Sequence, residues 1–124
     1  MTEAIEQRGD HVALVAIEGE QLSAVTFVQD YVQLHFDGPM IRAITRPVVV
    51  AGDTSFDFDA PGYRDRLCGL IAKKVARAYV RPGERLQLDF QDHASLVVSL
   101  KPEKYRAAEA VIFSDGKTEQ WAVW

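Results

Sequence analysis

The chain has 124 residues, of which 48% are apolar and 26% charged, with five prolines and eight glycines; this composition excludes a disordered chain or a fibrous repeat. It is long enough to bury one core without disulfides or metals, so a single domain spanning 1–124 is expected. A net charge of −4 argues against general nucleic-acid binding, which draws its affinity from a basic surface.

Residues 1–10 form an acidic, polar leader, expected to be flexible, without the basic start and apolar stretch of a signal peptide. His11–Ile17 is a dense apolar run that predicts a buried strand ended by Gly19. A second strand follows over Leu22–Val28. Tyr31–Phe36 alternates, with Val32, Leu34 and Phe36 inward and Tyr31, Gln33 and His35 outward. Asp37-Gly38 marks a hairpin, and Pro39, which has no N–H, predicts a turn longer than two residues. Met40–Thr45 returns, and Pro47 interrupts before Val48-Val49-Val50.

Residues 51–60 lack any period and read as a loop that pins Phe56 and Phe58 on an apolar surface. Tyr63, Leu67, Leu70, Ile71 and Lys74 then fall on one stripe of an amphipathic helix, with Asp59 or Ala60 near its N-cap and Pro61 in its first turn. The single cysteine, Cys68, lies in this helix and reads as a packed thiol; no intrachain disulfide is possible, which fits a reducing cytoplasm. Strands follow over Val75–Arg81, Arg85–Phe90 and Ala94–Leu100, with turns at Pro82-Gly83-Glu84 and Gln91-Asp92-His93. Pro102–Ala108 offers one helical turn, and Ala110–Phe113 with Thr118–Trp124 makes a terminal hairpin. No apolar run approaches the roughly 20 residues of a membrane-spanning helix.

The fold class expected is mainly β (α+β): two packed antiparallel sheets or a partly open barrel, with about eight or nine strands and one amphipathic helix. Gln33-Leu34-His35-Phe36 and Gln87-Leu88-Asp89-Phe90 share a pattern, which suggests repeated hairpin units at 22–46 and 75–100. Chance similarity of alternating strands is the competing explanation.

The apolar strand near Gly19, Val25, Leu34-x-Phe36-Asp37-Gly38, Gly69–Val75 and Leu86-x-Leu88-x-Phe90 together resemble a family of small uncharacterised bacterial proteins with repeated β-hairpins, a domain of unknown function. The resemblance covers residues 19–100. It implies a bacterial, cytoplasmic protein and brings no catalytic residue with it.

Chemistry is sparse. His11, His35 and His93 have no metal-site spacing, so neither a metal nor another cofactor is expected. Asp53, Asp57 and Asp59 lack the spacing of a calcium loop. Gly-rich phosphate loops and the Gly-x-Ser-x-Gly elbow are absent from the sequence, and no catalytic residue is assigned. Gln33, His35, Gln87, Asp89 and His93 are candidate binding residues, because matching outward positions in the two hairpins could converge on one pocket. Solvated strand and turn residues are the plain alternative. Basic residues between Arg64 and Arg85 suggest a face for an acidic partner or single-stranded nucleic acid, or simply the solvated outer face of the helix. Phe56, Phe58, Trp121 and Trp124 are candidate interface residues, or caps on the open ends of the β core.

The function expected is a non-enzymatic binding or interaction module that self-associates as a homodimer, with a protein partner possible and neither membrane nor nucleic acid as partner. The alternative is a small-molecule-binding β domain, or an enzyme, with a pocket between sheet and helix.

Overall fold

Alternating burial along Tyr31–Phe36 and Arg85–Phe90 sets the frame: Val32, Leu34, Phe36, Leu86, Leu88 and Phe90 are at most 3% exposed, while the residues between them are half-buried. A strand with one face against a core gives this period of two. The computed structural model describes residues 14–101, 110–114 and 121–123. Their strands are β1 (Ala24–Val28), β2 (Tyr31–His35), β3 (Met40–Ala43), β4 (Val48–Ala51), β5 (Thr54–Phe56), β6 (Val75–Arg81), β7 (Arg85–Phe90), β8 (Ser95–Ser99), β9 (Val111–Ser114) and β10 (Trp121–Val123), with one short helix, α1 (Tyr63–Cys68).

The strands form two five-stranded antiparallel sheets, ordered β1-β2-β3-β9-β10 and β5-β4-β8-β7-β6, whose inner faces share one hydrophobic core. Both sheets are open; the described residues close no barrel. The expected mainly-β architecture of two packed sheets is therefore the observed one. Each sheet is a three-stranded meander extended by a hairpin from the other half of the chain. The hairpin β4–β5 follows the first meander yet joins the second sheet, and β9–β10 follows the second meander yet joins the first. Pro47 lies where the chain leaves one sheet for the other, a place where its missing N–H breaks no ladder.

A reciprocal crossing ties the two halves together ahead of β1 and β6. Gly19 N–H donates to the Val75 carbonyl (2.7 Å) and Ala72 N–H to the Leu22 carbonyl (2.8 Å). Leu22 N–H donates to Lys73 (3.1 Å) and Val75 N–H to Glu20 (2.9 Å). Exchanging 19 with 72, 20 with 73 and 22 with 75 maps this set of bonds onto itself. Gly19 and Ala72 share the left-handed backbone as well, with φ of 85° and 78°. Alanine in that region is strained where glycine is not. Ala72→Gly is therefore expected to stabilise the fold by roughly 0.5–1 kcal/mol, the relief of strain exceeding the added entropy of the unfolded chain, as read by urea denaturation.

Several local expectations are corrected. The run before Gly19 enters the described residues as a helical turn, not a strand: Leu14 and Ile17 are buried at i and i+3, while Val15 points outward at 38% exposure. A short apolar run does not distinguish strand from buried helix by pattern alone. The turn after β2 has only two central residues, Asp37 and Gly38, both at positive φ. Phe36 N–H donates to the Pro39 carbonyl (2.9 Å), so proline closes the hairpin with the one backbone group it retains. Residues 51–60 contain a strand, β5, reached through Gly52 at φ 63°. The helix is only six residues long, is preceded by Gly62 at its N-cap, and ends at Gly69. It buries Tyr63 and Leu67 and leaves Cys68 exposed on the other side, so the thiol is not packed. Pro102–Ala108 and the leader lie outside the described residues. No helix among the described residues is long and apolar enough to cross a membrane.

Candidate functional site

The helix α1 contacts β1 and β4, strands from different sheets, and so lies across one end of the sandwich. Tyr63 fixes it there. Its ring is 2% exposed, its hydroxyl donates to the Pro47 carbonyl at 2.5 Å, and its edge meets the Phe58 ring with centroids 5.8 Å apart at 63°. Burial pushes the phenol up to about 12, partly offset by the nearby guanidinium charges of Arg46 and Arg64 and reinforced by Asp57. Tyr63 thus works as a neutral structural pin, joining the helix to the linker that carries Arg46.

Around this pin the chain gathers arginines and aromatic rings. The Arg46 guanidinium lies 3.7 Å from the Phe58 centroid; Arg64 lies 5.5 Å from Phe58 and 5.8 Å from Phe27, and Arg66 covers Phe56 at 4.7 Å. Such contacts use the face of the guanidinium and leave its in-plane N–H groups free for a carboxylate. Beside them is a partly open cavity of about 210 Å³, lined by Phe27, Val28, Gln29, Tyr31, Val32, Arg46, Phe58 and Arg64. No Asp or Glu lines it, and among the described residues neither arginine makes an ion pair. Phe27 and Val28, on the edge strand β1, are 37% and 38% exposed at its mouth.

A neighbouring cavity of about 390 Å³ shares Arg46 and Phe58 but also holds Asp57 and Asp59. Two carboxylates there oppose the arginine charge, and Asp57 is already engaged, accepting the Asp59 N–H at 3.1 Å. The first cavity has both arginines and no carboxylate in its own lining.

Comparison with protein-family models, with curated proteins and with solved structures returns no match to this chain.

The five candidate binding residues do not share a pocket. Gln33 and His35 face outward on β2 of the first sheet, where the His35 Nε2 is 3.1 Å from the Thr26 hydroxyl. Gln87 and Asp89 face outward on β7 of the second sheet, with the core between the two pairs. The second pair is occupied: Arg85 Nε donates to Gln87 (2.8 Å), Gln87 to Asp89 (2.7 Å), and the Ser95 hydroxyl to the same Asp89 oxygen (2.8 Å). His93 is exposed in the β7–β8 turn at φ 75°. No group of three or more metal-ligating side chains occurs among the described residues.

The basic run from Arg64 to Arg85 is divided in the same way. Arg64 and Arg66 cover Phe58 and Phe56, Lys73 pairs with Asp92, and Arg77 lies over Tyr79 at 4.6 Å, on the outer face of the second sheet with Arg81 and Arg85. The Asp92 carboxyl is held below its usual range chiefly by its hydrogen bond from Lys73, a surface contact of small energetic weight. Phe56 and Phe58 are half-buried and packed against the core. Trp121 stands opposite Ser114 in the β10–β9 register, and Trp124 lies outside the described residues. Phe58 and Arg64 stand out separately in the sequence, whereas Arg46 and Phe27 do not, because their meeting depends on the passage of the chain from one sheet to the other at Pro47.

Proposed function

We propose that this protein is a non-enzymatic binding module whose ligand carries an anionic group into the cavity between α1 and the first sheet. One observation carries the reading: Arg46 and Arg64 converge on Phe58 at a cavity whose own lining holds no carboxylate. Arginine stays charged at any physiological pH, and its fork matches a carboxylate or phosphate. The lining has no His, Asp, Glu, Cys or Lys to exchange a proton near neutrality, which suits binding better than catalysis. The competing reading, self-association through exposed aromatics, is weakened by the packing of Phe56 and Phe58 against the core.

The same proposal extends to the scaffold, which we read as two copies of one unit, each a helical turn, a meander and an exchanged hairpin. The reciprocal hydrogen bonds of the crossing and the matching strand orders support it.

Sodium butyrate, compared with sodium chloride at equal ionic strength, is expected to raise the melting temperature of the wild-type chain. A ligand at ten times its Kd stabilises by about 1.4 kcal/mol. The Arg46→Gln/Arg64→Gln double variant is expected to fold and to lose the butyrate-dependent shift. An equal shift in wild type and variant would place the effect elsewhere and remove the reading.

A further inference from the structure

The cavity is more than a pair of cations. Its remaining lining is largely apolar: Phe27 and Phe58 supply rings, and Val32, 3% exposed, stands opposite Phe27 in the β1–β2 register. Arg64 bridges the two sides, 5.8 Å from the Phe27 centroid and 5.5 Å from that of Phe58. A ligand that satisfies both walls is flat and apolar at one end and anionic at the other. Size is compatible with one ring: an apolar cavity of about 150 Å³ holds a benzene ring, so 210 Å³ accommodates a ring with a carboxylate. Charge narrows the class. With two guanidinium groups and no carboxylate in the lining, an ammonium group has no partner and meets repulsion, which disfavours amino acids and aromatic amines.

The geometry points to a single-ring aromatic carboxylate as the ligand of this pocket, its carboxylate on the in-plane N–H groups of Arg46 and Arg64 and its ring against Phe27. Aromatic pairs add attraction beyond area burial, and a ring has no internal rotor to freeze, so it loses less on binding than a flexible chain of the same size. Gln29, the remaining polar lining residue, offers neutral donors and an acceptor to a ring substituent. This assignment rests on the proposal that the cavity is the binding site, and deepens it.

The test is a calorimetric titration of the full chain with benzoate, cyclohexanecarboxylate, butyrate and benzylammonium, repeated on Arg64→Gln and on Phe27→Ala. Benzoate is expected to bind at least fivefold tighter than cyclohexanecarboxylate and tenfold tighter than butyrate, with no detectable binding of benzylammonium. Arg64→Gln is expected to weaken all three carboxylates about tenfold, and Phe27→Ala to weaken benzoate alone by about fivefold, each variant keeping the wild-type circular dichroism spectrum. If the three carboxylates bind equally and all depend on Arg64, the anion site stands and the aromatic assignment is overturned. If no carboxylate binds, or benzylammonium binds as well as benzoate, the proposed function falls with it.

Discussion

Leu67→Ala is expected to lower the stability of the fold by about 2–5 kcal/mol, and Leu14→Ala by a similar amount. Both side chains are fully buried, and each is the first residue of a corresponding pair, Leu14 with Ile17 and Leu67 with Leu70, in which the second N–H donates to the first carbonyl at 3.1 Å. Each pair packs directly ahead of one arm of the reciprocal crossing, so a cavity under either arm removes the same kind of contact. Methylene groups deleted from a closely packed core leave a void that the neighbours refill only in part. Urea denaturation of the two variants checks this. A loss below about 1 kcal/mol in either would show that the end of the core beneath that arm is loosely packed, contrary to the observed burial.

Alkaline pH is expected to destabilise the wild-type chain more than Tyr63→Phe. The Tyr63 phenol is raised to about 12 in the fold from an ordinary value of 10.0. A group whose folded pKa is the higher one contributes its full stability below the unfolded value and loses it as pH rises through the folded one. The window is therefore pH 10 to 12, and about 2 kcal/mol is lost across it. At pH 8 the variant lacks the hydrogen bond to the Pro47 carbonyl and is less stable by about 1–2 kcal/mol. Near pH 11.5 that deficit is expected to vanish or reverse, because the variant has no phenol to ionise. Urea denaturation of both proteins at the two pH values reads the difference; a deficit of equal size at both would contradict the assignment of Tyr63 as a buried neutral pin.

The meanders were legible in the sequence because a strand with one buried face must alternate, and Val32-x-Leu34-x-Phe36 and Leu86-x-Leu88-x-Phe90 do so without exception. Leu14–Ile17 was not, since a four-residue apolar stretch fits a strand or a helical turn equally well until its partners are known. β5 was hidden for a related reason: Thr54-Ser55-Phe56 has no pattern of its own and is a strand because Val49, Val50 and Ala51 pair with it. The pairing of His35 with Asp89 failed in a more instructive way. Matching positions in two similar hairpins were correctly placed on outward faces, yet those faces belong to different sheets and look away from each other. Equivalence in sequence does not imply proximity when the equivalent elements pack through their inner faces. The arginine pocket was illegible for the opposite reason, because Arg46 sits on a linker and Arg64 on a helix, and only the contact of Tyr63 with Pro47 brings them to one ring.

The most direct test of the binding proposal is two-dimensional ¹H–¹⁵N NMR of the assigned full chain during a benzoate titration. Saturable shifts are expected, concentrated in Phe27–Val32, Arg46, Phe58 and Arg64, with Gln33, His35, Gln87 and Asp89 unmoved. Shifts centred on the outer face of either sheet, or none at the Arg46 and Arg64 side-chain and backbone N–H groups, would contradict it.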